Sequence, residues 1–315
     1  MKLWVFNFLQ ALFLIGLSPL AAAILKKMKA YLQNRRGPGL LQTYRDLAKW
    51  FNKEPIMPHG ASWIFRLAPY IIFASTALAC AIVPVILTQT PLSAAADVIT
   101  LVALFALARF FTALGAMDVG TAFGGMGASR EMTFAALAEP AMLMGVFVAS
   151  MAAESTNLSS MIDAMLNGNL GLRPSLAFAL TALLLVAIAE TGRIPVDNPA
   201  THLELTMVHE AMILEYSGRY LALIEWASQM KLILFATILL NLFVPWGIAQ
   251  EPATGALLAG LAAWLLKLLV LLAGLALLET LLAKMRIFRL PEYLGLAFLL
   301  AILGMLTHYI LEGPA

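Results

Sequence analysis

Eight separate stretches of this chain are apolar over ~18 or more residues, the length a helix needs to cross the hydrocarbon core of a bilayer. They cover residues 3–25, 67–87, 98–117, 132–151, 174–191, 232–249, 256–282 and 293–311. Inside hydrocarbon the backbone must satisfy its own hydrogen bonds, so a spanning chain is either helical or a closed barrel. A barrel needs alternating segments of ~10 residues, and none is present. The expectation is an all-α polytopic membrane protein, a single membrane domain over residues 1–315 built as a bundle of about eight transmembrane helices. The 12% content of charged residues supports it, since soluble domains carry ~25%. A net charge of +2 carries no message about nucleic acid.

The first stretch has one competing reading. Lys2, an apolar run and Ser18-Pro19-Leu20-Ala21-Ala22-Ala23 resemble a cleavable leader. The run is nevertheless long enough to span, and Lys26, Lys27 and Lys29 follow it as a stop-transfer flank. It is read as the first transmembrane helix.

Basic residues orient the bundle. Alternate connections hold sixteen of the twenty Lys and Arg residues, nine of them between residues 26 and 66. The opposite side has Lys2 and Arg173. By the positive-inside rule the basic side is cytoplasmic, which puts both termini outside. The long cytoplasmic loops are then 26–66 and 192–231, the kind of surface on which a soluble partner docks. Within the first, residues 40–51 (LLQTYRDLAKWF) place apolar side chains at helical spacing, an amphipathic helix on the membrane surface.

Charges inside apolar stretches need partners, because an ionised group at the bilayer centre costs at least ~2.5–3.5 kcal/mol. Arg109, Glu139, Lys267 and Glu279 are in that position and are candidates for a proton path. Lys267 and Glu279 lie too far apart along one helix to pair with each other. Six of the eighteen acids fall between Glu190 and Glu225, in the segment that joins the fifth and sixth stretches. Gly192 and Pro195 end a helix there, Asn198-Pro199 makes a further break, and 201–216 is expected to be helical with Thr201 and Glu204 as a capping box. His202 and His209 stand seven apart, which is not the zinc spacing of four.

The remaining motifs exclude chemistry. Cys80 is the lone cysteine. It cannot form an intrachain disulfide or hold an iron–sulfur cluster, which takes four thiolates. Any redox centre is therefore expected in another chain, and none in this one. Gly124-Gly125-Met126-Gly127, placed in a cytoplasmic loop, follows no strand and is read as backbone for close packing rather than a nucleotide site.

Several segments together resemble subunit 1 of respiratory complex I, and more closely its counterpart in energy-converting nickel–iron hydrogenases and formate hydrogenlyase. They are Arg35-Arg36-Gly37-Pro38-Gly39 with Leu41-Gln42-Thr43-Tyr44-Arg45-Asp46; Gly127-Ala128-Ser129-Arg130-Glu131 with Glu139-Pro140; Glu190-Thr191-Gly192-Arg193-Ile194-Pro195-Val196-Asp197; and Glu215-Tyr216-Ser217-Gly218. The resemblance implies an anchor between a membrane arm and a soluble redox arm, with a chain of acids leading toward antiporter-like subunits. It makes Glu139, Glu190, Glu204, Glu210 and Glu215 members of that chain. It makes Arg35, Arg36, Arg45, Asp46, Arg130, Arg193 and Asp197 docking or ion-pair residues. The partners it implies are hydrophilic large and small subunits carrying iron–sulfur clusters and a nickel–iron centre, in a prokaryotic plasma membrane. Gly39 and Gly192 stand where the complex I pattern has Asn. They point to the hydrogenase branch and away from quinone, because a hydrogen-evolving complex passes its electrons to protons. A quinone-chamber subunit, a stand-alone secondary transporter and a purely structural anchor are the competing readings.

Overall fold

The computed structural model describes residues 2–88, 91–92, 95–167, 173–197, 207–250 and 253–312. Among them eleven α-helices follow one another: α1 (Lys2–Leu32), α2 (Gln42–Phe51), α3 (Trp63–Ile82), α4 (Val98–Asp118), α5 (Ala122–Ala153), α6 (Leu158–Asn167), α7 (Pro174–Glu190), α8 (His209–Ile213), α9 (Gly218–Phe243), α10 (Thr254–Leu281) and α11 (Leu290–Thr307). Seven are long and apolar enough to cross a membrane, and α7, with 17 residues, is a shorter apolar helix beside them. These eight stand at the eight places the hydropathy pattern marks. No strand occurs among the described residues, only two isolated bridges.

Helix α9 runs through the centre, packed on α1, α2, α3, α6, α7 and α10. Helices α5, α7 and α11 form one flank, α3 and α4 another, and α1 pairs with α10 at the edge. The interior is aliphatic and aromatic, with Trp264, Phe65 and Phe105 fully buried and Phe105 stacked on Phe235 at 4.9 Å. On α10 the buried positions Gly260, Trp264, Leu268, Leu272 and Ala276 recur every four residues and form a single stripe toward α1. Much of the rest of that helix is exposed, as expected of a surface that meets lipid or another subunit.

Four boundaries differ from the hydropathy reading. Helix α9 begins at Gly218 rather than at 232, so the connection expected over 192–231 closes at Ser217. The charges of its first turns make this part look like loop, whereas Lys231 is paired inside the bundle. Helix α5 begins at Ala122 and takes in the glycine-rich stretch expected to be loop. A Cβ at Gly127 would lie 3.0 Å from the Ala211 Cβ and from the Val208 carbonyl, so glycine there lets α8 pack directly on α5. Helix α1 runs on to Leu32 through its lysines, so the connection expected from residue 26 starts only after Leu32. Of the helix expected over 201–216, α8 is what the structure describes; Thr201, His202 and Glu204 lie outside the described residues. The amphipathic helix of 40–51 is present as α2, with Thr43 and Leu47 buried.

The connection between α2 and α3 is tied to the start of α9. Ser217 Oγ accepts from the Ile56 N–H at 2.8 Å and donates to its carbonyl at 3.1 Å. Gly218 has φ +54°, and a Cβ there would come within 2.7 Å of the Lys53 carbonyl. Both features restrict this position to glycine. Asp118, at the end of α4, accepts from Ser62 N at 2.7 Å and Ser62 Oγ at 2.6 Å and so holds the start of α3.

Candidate functional site

Arg109 sits on α4 with its side chain 6% exposed, and three carboxylates surround it. Nη1 meets Glu139 Oε1 of α5 at 2.7 Å, Nε lies 3.4 Å from Oε1 of Glu131, earlier on the same helix, and Nη2 pairs with Glu190 at the end of α7. Glu190 is 2% exposed and turns its second oxygen to Lys231 Nζ of α9 at 2.7 Å. Four helices thus contribute to one buried network. Each charge would be expensive alone, and together they satisfy one another.

A second group lies toward α1 and α10. Glu279, 1% exposed, pairs with Lys29 of α1 and lies 3.6 Å from Arg193 Nη1. Burial pulls the Arg193 guanidinium below the ordinary arginine range, and the negative charges of Glu279 and Glu225 oppose that shift. Beyond it Lys284 Nζ meets Asp197 Oδ1 at 2.7 Å, while Asp197 Oδ2 accepts from the His209 backbone N–H at 3.3 Å. Arg130 Nη1 donates to the Met207 carbonyl at 3.0 Å. These contacts fold the acid-rich connection back over the bundle.

Both groups border one cavity of about 550 Å³. Arg109, Glu131, Glu190 and Lys231 of the first group and Lys29, Arg193 and Asp197 of the second line it, together with His209, Glu210 and Glu225. Gln229 Oε1 and His209 Nε2 are buried on it without a hydrogen-bond partner among the described residues. A cavity of this size lined by so many donors and acceptors is polar and roomy enough to hold water.

The structure therefore brings together Arg109, Glu139, Glu190, Arg193, Asp197, Glu210 and Glu279 among the residues singled out from sequence. It sets others apart. Lys267 donates to the carbonyls of Val244 at 2.8 Å and Trp246 at 2.6 Å, capping the end of α9. Glu215 is half-buried beside Tyr216, outside the cavity lining. Arg35, Arg36 and Arg45 are exposed, and Asp46 accepts from Gln42 at 2.8 Å. Glu204 lies outside the described residues. Lys29, Lys231 and Lys284 escape the sequence reading because they look like ordinary cations of a cytoplasmic flank. The signal that could find them is arithmetic: buried acids need cations, and these stand nearest.

Tyr216 stands behind the cavity wall. Its ring stacks on Phe65 with centroids 4.0 Å apart, and its hydroxyl lies over Gly115. Burial, with the negative charge of Asp118, pushes its phenol well above the usual tyrosine range, so it remains neutral. Among the described residues no group of His, Cys, Asp and Glu is arranged to hold a metal ion.

The fold is that of a polytopic helical membrane protein with paired charges beside a polar cavity. The chain belongs to the NADH dehydrogenase family, whose family model matches residues 5–309. It is 35% identical to formate hydrogenlyase subunit 4 of Escherichia coli over 92% of this chain and 95% of that one. It is likewise 35% identical to hydrogenase-4 component C of the same organism, over 95% and 94%. Identity to an NADH-quinone oxidoreductase subunit of Syntrophotalea carbinolica is 29%, over 78% and 76%. In a solved structure of an archaeal membrane-bound sulfane sulfur reductase complex, one chain superposes with a TM-score of 0.80 at 18% identity, covering 98% of this chain and all of that one. That likeness establishes the fold.

Proposed function

We propose that this chain is the membrane anchor and proton-coupling subunit of a multisubunit hydrogenase-type complex of the formate hydrogenlyase kind. The observation that carries the reading is the buried network in which Arg109 and Lys231 share Glu131, Glu139 and Glu190 on the wall of a polar cavity. Its place in a chain related over nearly full length to formate hydrogenlyase subunit 4 supports the assignment. The soluble arm docks on the basic side, over the cavity. Its large and small subunits carry the iron–sulfur clusters and the nickel–iron centre. Glu190 exchanges protons with water in the cavity, and Glu139, whose side chain is 37% exposed on the flank of α5, passes them to a neighbouring antiporter-like subunit. The chain resides in the plasma membrane of a prokaryote with both termini outside.

The test is to purify the complex from cells and measure redox-linked proton translocation in vesicles. Co-purification with hydrophilic nickel and iron–sulfur subunits, and loss of translocation in Glu139→Gln and Glu190→Gln complexes that still assemble, are the expected results. Variants that assemble and pump normally would remove the proton role.

The relatedness to an NADH-quinone oxidoreductase subunit favours a second reading, in which the cavity forms part of a quinone chamber. Redox activity indifferent to quinone analogues would count against it.

A further inference from the structure

Helix α2 lies deeper in the bundle than its charges suggest. Pro19 of α1 has no N–H to offer the Ile15 carbonyl, and its ring crowds that turn. Side chains from two other helices take up the loosened backbone. Trp226 Nε1 of α9 donates to the Ile15 carbonyl at 3.0 Å, and the Tyr44 hydroxyl of α2 donates to the Gly16 carbonyl at 2.5 Å. Phe51, the last residue of α2, meets Trp226 edge to face with centroids 6.2 Å apart. Both ends of α2 are thereby held at the level of Ile15 and Gly16. Along α1, Lys26 stands about 15 Å further toward the basic side, and a tyrosine side chain spans less than half of that. Helix α2 therefore lies below Lys26, Lys27 and Lys29, beside an apolar part of α1.

At that depth α2 presents a mixed outer surface. Thr43 and Leu47 are buried against the bundle. Arg45 and Lys49 occupy the opposite side and are exposed, and exposed Lys53 follows. Leu41 and Phe51, at its ends, are 59% and 42% exposed. Residues 26–66 hold nine basic residues against two acids, Asp46 and Glu54, and Asp46 is engaged by Gln42. Cations cannot sit in hydrocarbon, and apolar side chains gain by leaving water, so both are served together where phosphates meet acyl chains.

We propose that α2 with Lys53 is a binding surface for anionic phospholipid. Arg45, Lys49 and Lys53 contact headgroup phosphates, and Leu41 and Phe51 rest on the first acyl carbons. The surface sets where the bilayer ends and is separate from the Arg109 network. It follows from charge and depth alone and does not depend on the functional reading above.

The assay uses the intact complex in nanodiscs of zwitterionic lipid doped with spin-labelled phosphatidylglycerol or spin-labelled phosphatidylcholine. The protein should immobilise phosphatidylglycerol in preference. The preference should weaken about five-fold at low ionic strength for each cation removed among Arg45→Gln, Lys49→Gln and Lys53→Gln. Lys49→Arg and Lys53→Arg should keep it, which separates charge from folding. Unchanged preference in the triple Gln variant would overturn the proposal. So would release of soluble subunits by that variant with lipid preference intact, since the cations would then serve a protein.

Discussion

Replacing Glu190 by Gln tests the network most directly. The carboxylate is 2% exposed and bridges two cations, Arg109 and Lys231, the latter at 2.7 Å. Gln keeps the shape and one acceptor but removes the charge. Arg109 still has Glu139 at 2.7 Å and Glu131 at 3.4 Å. Lys231 loses the carboxylate within ion-pair reach. Removing one partner of a buried pair costs about 3–5 kcal/mol, because the other charge is left in a poor environment. The retained acceptor and the remaining acids on Arg109 place Glu190→Gln at the lower end, about 3 kcal/mol. In a chain of this size that lowers the thermal midpoint of the purified complex by roughly 5 °C. Adding Lys231→Met should recover most of the midpoint, because the orphaned cation is gone and its volume is filled. Proton translocation in vesicles should be lost in both the single and the double variant. Stability and coupling thus separate: the double variant is stable and uncoupled. A single variant with an unchanged midpoint would refute the burial argument, and a double variant that translocates protons would refute the role of Glu190.

Three further outcomes follow from other contacts. Glu279→Gln strands Lys29 and Arg193 and should cost about 3 kcal/mol, seen as a lower midpoint; an unchanged midpoint would mean that these cations reach other partners. Lys267→Met removes two hydrogen bonds to the end of α9 and should cost about 2 kcal/mol while translocation persists; loss of translocation at full stability would return Lys267 to the proton path. Gly127→Leu drives a large side chain into Ala211 and Met212 and should cost about 1–3 kcal/mol or more by overpacking, read as poor assembly, whereas normal assembly would show that α8 is free to move away from α5.

The places of the helices are legible in the sequence because spanning length and apolarity are properties of single segments. What is not legible depends on contacts between segments. Hydropathy ends a helix at a charge, so α9 is expected past Lys231, whereas it starts at Gly218. The lysine lies in the bundle because Glu190, from another helix, is there to meet it. The glycines at the start of α5 disfavour helix in isolation, yet here they are helical and one of them, Gly127, admits α8. Arg109 and Glu139 can be singled out because a charge within an apolar run is anomalous by itself. Their pairing cannot, since it depends on how α4 and α5 face each other. Lys267 shows the opposite case. By sequence it is as anomalous as Arg109, yet its partners are backbone carbonyls that no pattern of side chains announces.

The two groups differ in their balance of charge. On the Arg109 side, Arg109 and Lys231 face Glu131, Glu139 and Glu190, two cations against three acids. In the other group Lys29 and Arg193 face Glu279, and the charge of Glu225 also acts on Arg193, two cations against two acids. Fully ionised, the first group is one charge negative and the second is balanced, and both border the cavity. One proton taken up by the first group makes it neutral without moving any side chain out of contact. The same proton on Glu279 would leave Lys29 without the carboxylate it pairs with. Arginine does not release its proton, so any change of charge in the Arg109 group falls on its acids or on Lys231. Glu139 is the acid of that group with the most exposed side chain, on the outer flank of α5. On the function proposed above, a proton gained from the cavity at Glu190 would leave at Glu139, the acid of the group nearest the surface.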